Sequence, residues 1–196
     1  ALAVASGCDV LSVEYRLAPE NPFPAAVDDV LAAWRFAVEQ APEWGIDPNR
    51  IAVGGDSAGG NLAAVIAQQT RGDDVVPALQ VLIYPAVDHT AEAPSRLEFA
   101  SGYFLTKKDM DAFRDAYLPD AETRNDPRAS PLLGDVDGVP PAYVVVAGFD
   151  PLRDEGIAYA EKLREAGVPV TLERAGAMIH GFLNMGLLSP DAREYT

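Results

Sequence analysis

The residues of this chain whose types and spacing could do chemistry are one serine set among glycines, two histidines and a few aspartates. Ser57 lies in Gly55-x-Ser57-x-Gly59, with glycine doubled on both sides by Gly54 and Gly60. The apolar, β-prone run 51–55 leads into it, and an alanine- and leucine-rich helical pattern follows. This reads as strand, sharp turn and helix with a serine at the apex, the form called a nucleophile elbow. A serine lifted from a strand end onto a helix N-terminus sits in a strained backbone conformation. Its neighbours two residues away lack side chains so that strand and helix can approach closely. The elbow positions are Gly55, Asp56, Gly59 and Gly60. The amide of Ala58 and the positive end of the helix dipole lie beside the hydroxyl, where they can stabilise a developing oxyanion.

A serine hydroxyl needs a base to take its proton, and histidine is the usual one near neutral pH. His180 falls in a loop after the final predicted strand, and His89 also follows a strand. In the order nucleophile, acid, base, His180 fits, whereas His89 leaves only its neighbour Asp88 as an intervening acid. The orienting carboxylate belongs at a strand end, where Asp150 follows the strand that closes at Gly148. Asp154 stands one helical turn further on and Asp88 follows an earlier strand, so both are rivals. A buried carboxylate on the far imidazole nitrogen fixes the tautomer and stabilises the imidazolium.

These side chains must be positioned by an alternating pattern. A helix ends at Gly7, a strand spans 10–15, and a helix runs from Ala25 to Glu39 with Val27, Val30, Leu31, Trp34 and Val38 on one face. The strand before Ser57 reads as central in the sheet. Its helix buries Leu62, Val65 and Ile66, and a further strand covers 79–84. Further strands cover 142–148 and 168–173, with a helix between them from about Arg153 to Ala166. This rhythm implies right-handed crossovers and a parallel α/β sheet whose chemistry collects beyond the carboxyl ends of the strands. Residues 1–87 form one part of the core and 142–196 the other. Between them 88–141 is a proline-rich insertion, read as a cap or lid. It contains a capping box, Thr106 to Asp109, opening a short helix with Met110, Phe113 and Tyr117 on one face. Tyr103, Phe104, Leu105 and Phe182 are candidate pocket walls, and gluing the insertion to the body is an equal use for any one of the aromatics.

Composition narrows the function classes. The chain of 196 residues is 48% apolar and carries a net charge of −15. That suits one folded unit with a sizeable core, and its acidic surface repels nucleic acid and anionic lipid. No run approaches a membrane span. Cys8 is the only cysteine, which excludes an intrachain disulfide and favours a cytoplasmic setting. No cofactor or metal is expected: there is no His-Glu-x-x-His, no glycine fingerprint for phosphate, and Asp135-Val136-Asp137-Gly138 lacks the remaining calcium ligands. The oligomeric state is open.

Gly55-Asp56-Ser57-Ala58-Gly59-Gly60 resembles the elbow of the hormone-sensitive lipase family of α/β-hydrolases, the bacterial family IV esterases. Tyr15-Arg16-Leu17-Ala18-Pro19-Glu20 with Phe23-Pro24-Ala25-Ala26 is similar to a second block of that family. Asp150-Pro151-Leu152-Arg153-Asp154-Glu155-Gly156 and His180-Gly181-Phe182 resemble its acid and base blocks. The resemblance implies a carboxylesterase acting on short or medium acyl chains, with Ser57, Asp150 and His180 as triad. Amidase or deacetylase chemistry on the same triad is a close variant. A non-catalytic small-molecule receptor or an interaction domain on the same fold are the rivals. The family also carries a His-Gly-Gly-Gly oxyanion loop upstream of the second block, and this chain shows none. The chain therefore reads as a fragment, also without early strands, the first part of the lid and most of a terminal helix. Residues 1–196 alone are expected to be poorly folded and nearly inactive.

Overall fold

Short runs of β-branched and apolar residues alternate with amphipathic stretches, and the computed structural model, which describes residues 2–90 and 92–193, turns that alternation into a layered α/β structure. In chain order the helices and strands are α1 (Leu2–Ser6), α2 (Ala25–Gln40), β1 (Val53–Asp56), α3 (Ala58–Gln69), β2 (Gln80–Ile83), α4 (Pro94–Glu98), α5 (Lys107–Tyr117), β3 (Ala142–Phe149), α6 (Arg153–Glu165), β4 (Val170–Ile179) and α7 (Pro190–Arg193). The sheet is parallel in the order β1-β2-β3-β4. Successive strands therefore sit side by side, and each strand's carboxyl end faces the same rim.

The period of two along β3 separates the core into layers. Val144 and Val146 face α6, packing with Tyr159, Ala160 and Leu163. Val145 and Ala147 face the other way, against Tyr84, Ala175, Met178 and Phe182. A third cluster joins α2 to α3 through Val27, Val30 and Trp34 on one helix and Leu62, Val65 and Ile66 on the other. That apolar stripe is the reason α2 forms where the periodicity predicts it.

Several expectations need correction. Residues 10–15 form no strand and pair with none among the described residues, and Val10, Leu11 and Val13 are exposed. A β-prone run becomes a strand only beside a partner, and here the chain is fastened to a helix instead. Tyr15 packs on the α2–α3 cluster, and Arg16 grips Asp29 of α2 at 2.7 Å. The strand before Ser57 is not central: β1 is the first strand of the described sheet. The last strand runs past Glu173 to Ile179, because a register irregularity opposite Ala147 and Phe149 lets it bend and continue. Gly148 permits that bend, since a Cβ there would overlap the Gly176 carbonyl.

Residues 88–141 leave the sheet after β2 and return to it at β3. They hold α4, α5 and two 3-10 turns, at Ala121–Asn125 and Pro131–Leu133, with no strand among the described residues. The box at Thr106 is present: Thr106 Oγ1 accepts from the Asp109 amide, and the Thr106 amide donates to the Asp109 carboxylate. The apolar face of α5 is covered only in part: Tyr117 packs on the α2–α3 cluster and edge-on against Phe23, whereas Phe113 is 67% exposed. The helix α4 is absent from the sequence reading, because five residues opened by Pro94 carry no periodic signal.

Candidate active site

The turn at Ser57 is built from the backbone outward. Ser57 has φ 55° and ψ −116°, a region that non-glycine residues enter only when the surroundings over-determine it. Three contacts hold it there: its amide donates to the Ile83 carbonyl at 2.9 Å, and its carbonyl accepts from Asn61 at 3.1 Å and from Ala86 at 3.3 Å. A Cβ on Gly55 would overlap the Gly59 carbonyl, and one on Gly60 would lie 2.9 Å from Pro85 Cβ. A Cβ on Gly59 meets nothing within 4 Å. The close approach therefore explains Gly55 and Gly60, and the argument that Gly59 must lack a side chain fails. Ala58 opens α3, so its N–H has no acceptor within the helix.

β4 delivers its C-terminal end to the same rim, and His180 follows it directly. His180 Nε2 lies 2.9 Å from Ser57 Oγ, and Nδ1 lies 2.7 Å from Asp150 Oδ2. Asp150 is fully buried and its other oxygen accepts from the Leu152 amide at 2.8 Å. Serine, imidazole and carboxylate thus form one continuous hydrogen-bonded line across three loops.

The rival residues are engaged elsewhere. The Asp88 carboxylate accepts from the amide and hydroxyl of Thr90 at 2.7 and 2.6 Å. Asp154 accepts from the Ser95 amide at 2.9 Å and from Arg153 at 2.8 Å. His89 donates its amide to Ser130 Oγ and sets its ring edge-on to Tyr117. Burial, reinforced by Arg96, pushes the His89 imidazole down to about 4, so it is neutral near pH 7. It borders a cavity of about 260 Å³ among Arg96, Lys107, Arg114 and Arg124. Those cations are matched by carboxylates: Glu155 holds Arg96, Asp111 holds Lys107 and Arg114, and Asp115 holds Arg114 and Arg124.

Of the candidate pocket walls, Phe104 lies against Gly181, the residue after His180. It is 68% exposed at φ 72°, and its ring reaches to 3.4 Å from where a Cβ on Gly181 would sit. Tyr103 stacks on Phe149 at 5.5 Å and meets Phe99 edge-on, joining the insertion to β3. Leu105 is half-buried, its amide bonded to the Tyr103 carbonyl. Phe182 does not serve as a wall. It is 1% exposed, packed edge-on against Tyr84 beneath the base loop, because the chain turns inward after Gly181.

The acid loop is held by Ser95 and Arg96, which no motif marks, together with Glu155 of the acid block. Ser95 Oγ donates to the Pro151 carbonyl at 2.8 Å, next to Asp150. Arg96 pairs with buried Glu155 at 2.6 Å and also donates to the Asp88 carbonyl. Glu155 accepts from the amides of Val87 and Asp88. Burial pushes Glu155 up to about 7 against the pull of Arg96 and those two amides. The signal for Glu155 is its place in the acid block from Asp150 to Gly156, whereas Ser95 and Arg96 carry none. Among the described residues no group of three or more His, Cys, Asp or Glu could hold a metal ion, and no helix is long and apolar enough to cross a membrane.

A family model described as alpha/beta hydrolase fold matches residues 1–184. Carboxylic ester hydrolase LipN of Mycobacterium tuberculosis is 52% identical over 184 residues, covering 90% of this chain and 49% of that protein. Ethyl acetate hydrolase of Pseudomonas putida is 44% identical, covering 98% of this chain and 62% of that protein. This chain thus spans about half to two thirds of the length of these relatives. The crystal structure of EstE1, a thermostable carboxylesterase cloned from a metagenomic library, superposes with a TM-score of 0.95 at 45% identity. That match covers 99% of this chain and 67% of EstE1.

Proposed function

Because the chain belongs to the α/β-hydrolases, in the hormone-sensitive lipase family of bacterial esterases, we propose that it carries the reacting core of a serine carboxylesterase for short- to medium-chain acyl esters. The observation that carries the reading is the line of hydrogen bonds from Ser57 through His180 to Asp150, at 2.9 and 2.7 Å. Ser57 Oγ attacks the ester carbonyl while His180 Nε2 takes its proton. Asp150 keeps the Nδ1–H tautomer and stabilises the imidazolium. The carbonyl oxygen becomes anionic in the tetrahedral intermediate, where the Ala58 N–H and the start of α3 stabilise it. Collapse breaks the bond to the alkoxy oxygen, which leaves as the alcohol with the proton from His180. Water, deprotonated by His180, then hydrolyses the acyl-serine.

In this reading 1–87 and 142–196 are the hydrolase core and 88–141 is a cap, with Tyr103, Phe104 and Leu105 on the side towards the substrate. The substrate is a small neutral ester, without nucleic acid, membrane insertion or cofactor. The setting is cytoplasmic, on the strength of the lone, exposed Cys8. Treatment with an organophosphonate probe followed by mass-spectrometric mapping tests the assignment. Modification at Ser57 is the expected result, since labelling reads the nucleophile even where turnover is slow. An unmodified Ser57 under conditions that label a known serine esterase would overturn it.

A further inference from the structure

Tyr84 touches the proton path although no motif singles it out. It follows β2 directly, is 1% exposed, and donates its amide to the Val145 carbonyl at 2.7 Å. Its φ of 36° is left-handed, which a bulky side chain adopts only where its surroundings impose it. So bent, the chain sets the phenol ring 4.7 Å from the His180 imidazole, tilted by 58°, and 5.5 Å from Phe182. The hydroxyl donates to Asp56 Oδ2 at 3.4 Å and lies against the Leu183 amide. Asn184 Nδ2 donates to the same Asp56 oxygen at 3.5 Å. The segment carrying the base is therefore moored to the nucleophile turn through two side chains that end on one carboxylate.

Resting on the triad reading above, we propose that Tyr84 is a positioning residue for His180: its ring holds the imidazole in the plane that reaches Ser57 and Asp150 together, and its hydroxyl ties the base loop to the elbow. An imidazole engaged at both nitrogens loses both bonds if it turns about its Cβ–Cγ bond, and that torsion is a soft one. Left-handed Gly181, at φ 77°, follows immediately and turns the chain away beneath the imidazole. The Tyr84 ring covers one side of the imidazole. Burial and then the Asp56 charge raise the Tyr84 phenol above its ordinary value, so it remains a donor to Asp56 throughout the neutral range.

The chain has two histidines, so proton NMR with a His89→Gln variant isolates the His180 signals. The Nδ1–H shared with Asp150 is expected as a low-field resonance in the wild type. Tyr84→Leu should broaden or abolish it in a protein that still folds by near-UV circular dichroism. The same variant should slow phosphonate modification of Ser57 on the order of a hundredfold, the scale of a misplaced reacting group. Tyr84→Phe should keep the resonance and slow labelling only about two- to tenfold, the loss of one hydrogen bond. Asp56→Asn weakens the mooring from its other end and should match Tyr84→Phe, since both disturb the same contact. An unchanged resonance in Tyr84→Leu overturns the proposal, as does equal damage from Tyr84→Leu and Tyr84→Phe. If Tyr84→Leu fails to fold, wild-type labelling rates in both Tyr84→Phe and Asp56→Asn overturn it. The NMR arm needs no turnover, so an unreactive Ser57 beside an intact, Tyr84-dependent resonance would refute the esterase reading and leave the positioning role standing.

Discussion

The acid and the nucleophile stand at opposite ends of the proton path and are held by different means. Asp150 is fully buried, and the loop after it is gripped from outside by α4. Ser95 bonds the Pro151 carbonyl and the Asp154 carboxylate, Arg96 bonds Glu155, and Glu98 bonds Arg153. Ser57 stands half-exposed at the end of β1, the first strand of the described sheet. There the backbone itself carries the precision, through a left-handed serine and glycines packed against carbonyl groups. A nucleophile must stay open to its substrate, so its position is set from behind by main-chain geometry. An orienting acid never meets the substrate, so side chains can enclose it, and charge buried in a dry site is worth holding tightly.

The contrast can be broken at either end. Ser57→Ala removes the reacting oxygen and should lower kcat by about 10⁶-fold, measured with a p-nitrophenyl ester, while Tm stays near the wild-type value. Asp150→Asn preserves shape but offers the wrong partner to Nδ1, and a loss of about 10⁴-fold is expected. A residual rate equal to that of Ser57→Ala would show that the acid does more than orient.

The clamp can be tested without touching reacting groups. Arg96→Leu strands a buried carboxylate and should cost about 3–5 kcal/mol of stability by urea denaturation at pH 8. Glu155 has its folded pKa raised to about 7 from a reference of 4.5. The folded state therefore binds its proton more tightly than the unfolded chain. That contribution is fully present below pH 4.5 and is lost as pH rises through 7. The Arg96→Leu penalty should accordingly shrink towards pH 5, and Glu155→Gln should flatten the wild-type pH slope across that window. A penalty independent of pH would show that Glu155 is ionised in the variant too. The smallest effect belongs to the insertion. Thr106→Ala removes the cap of α5 and should cost about 1 kcal/mol, with Ser57 labelling unchanged; a larger loss would tie α5 to the reacting core.

What the chain spelled out locally was legible. The Gly-x-Ser-x-Gly turn, the stripe of α2 and the box at Thr106 each depend on residues within a few positions, and each forms where periodicity and capping chemistry put it. Position at a strand end preferred Asp150 over Asp88 and Asp154, and chain order preferred His180 over His89. Residues 10–15 show the limit of such reasoning: β propensity describes a backbone shape, and a ladder needs a neighbour. Phe182 shows it again, since an aromatic beside a base can face the substrate or the core, and only the turn at Gly181 decides.

The amino-acid sequence by itself determined which groups can react and the alternation that brings strand ends to one rim. Tertiary structure alone decided how those groups are held. Arg96 meets Glu155 across 59 positions and Tyr84 meets His180 across two strands. Neither contact has a local pattern, because an isolated buried charge or ring becomes meaningful only through the partner that folding places beside it.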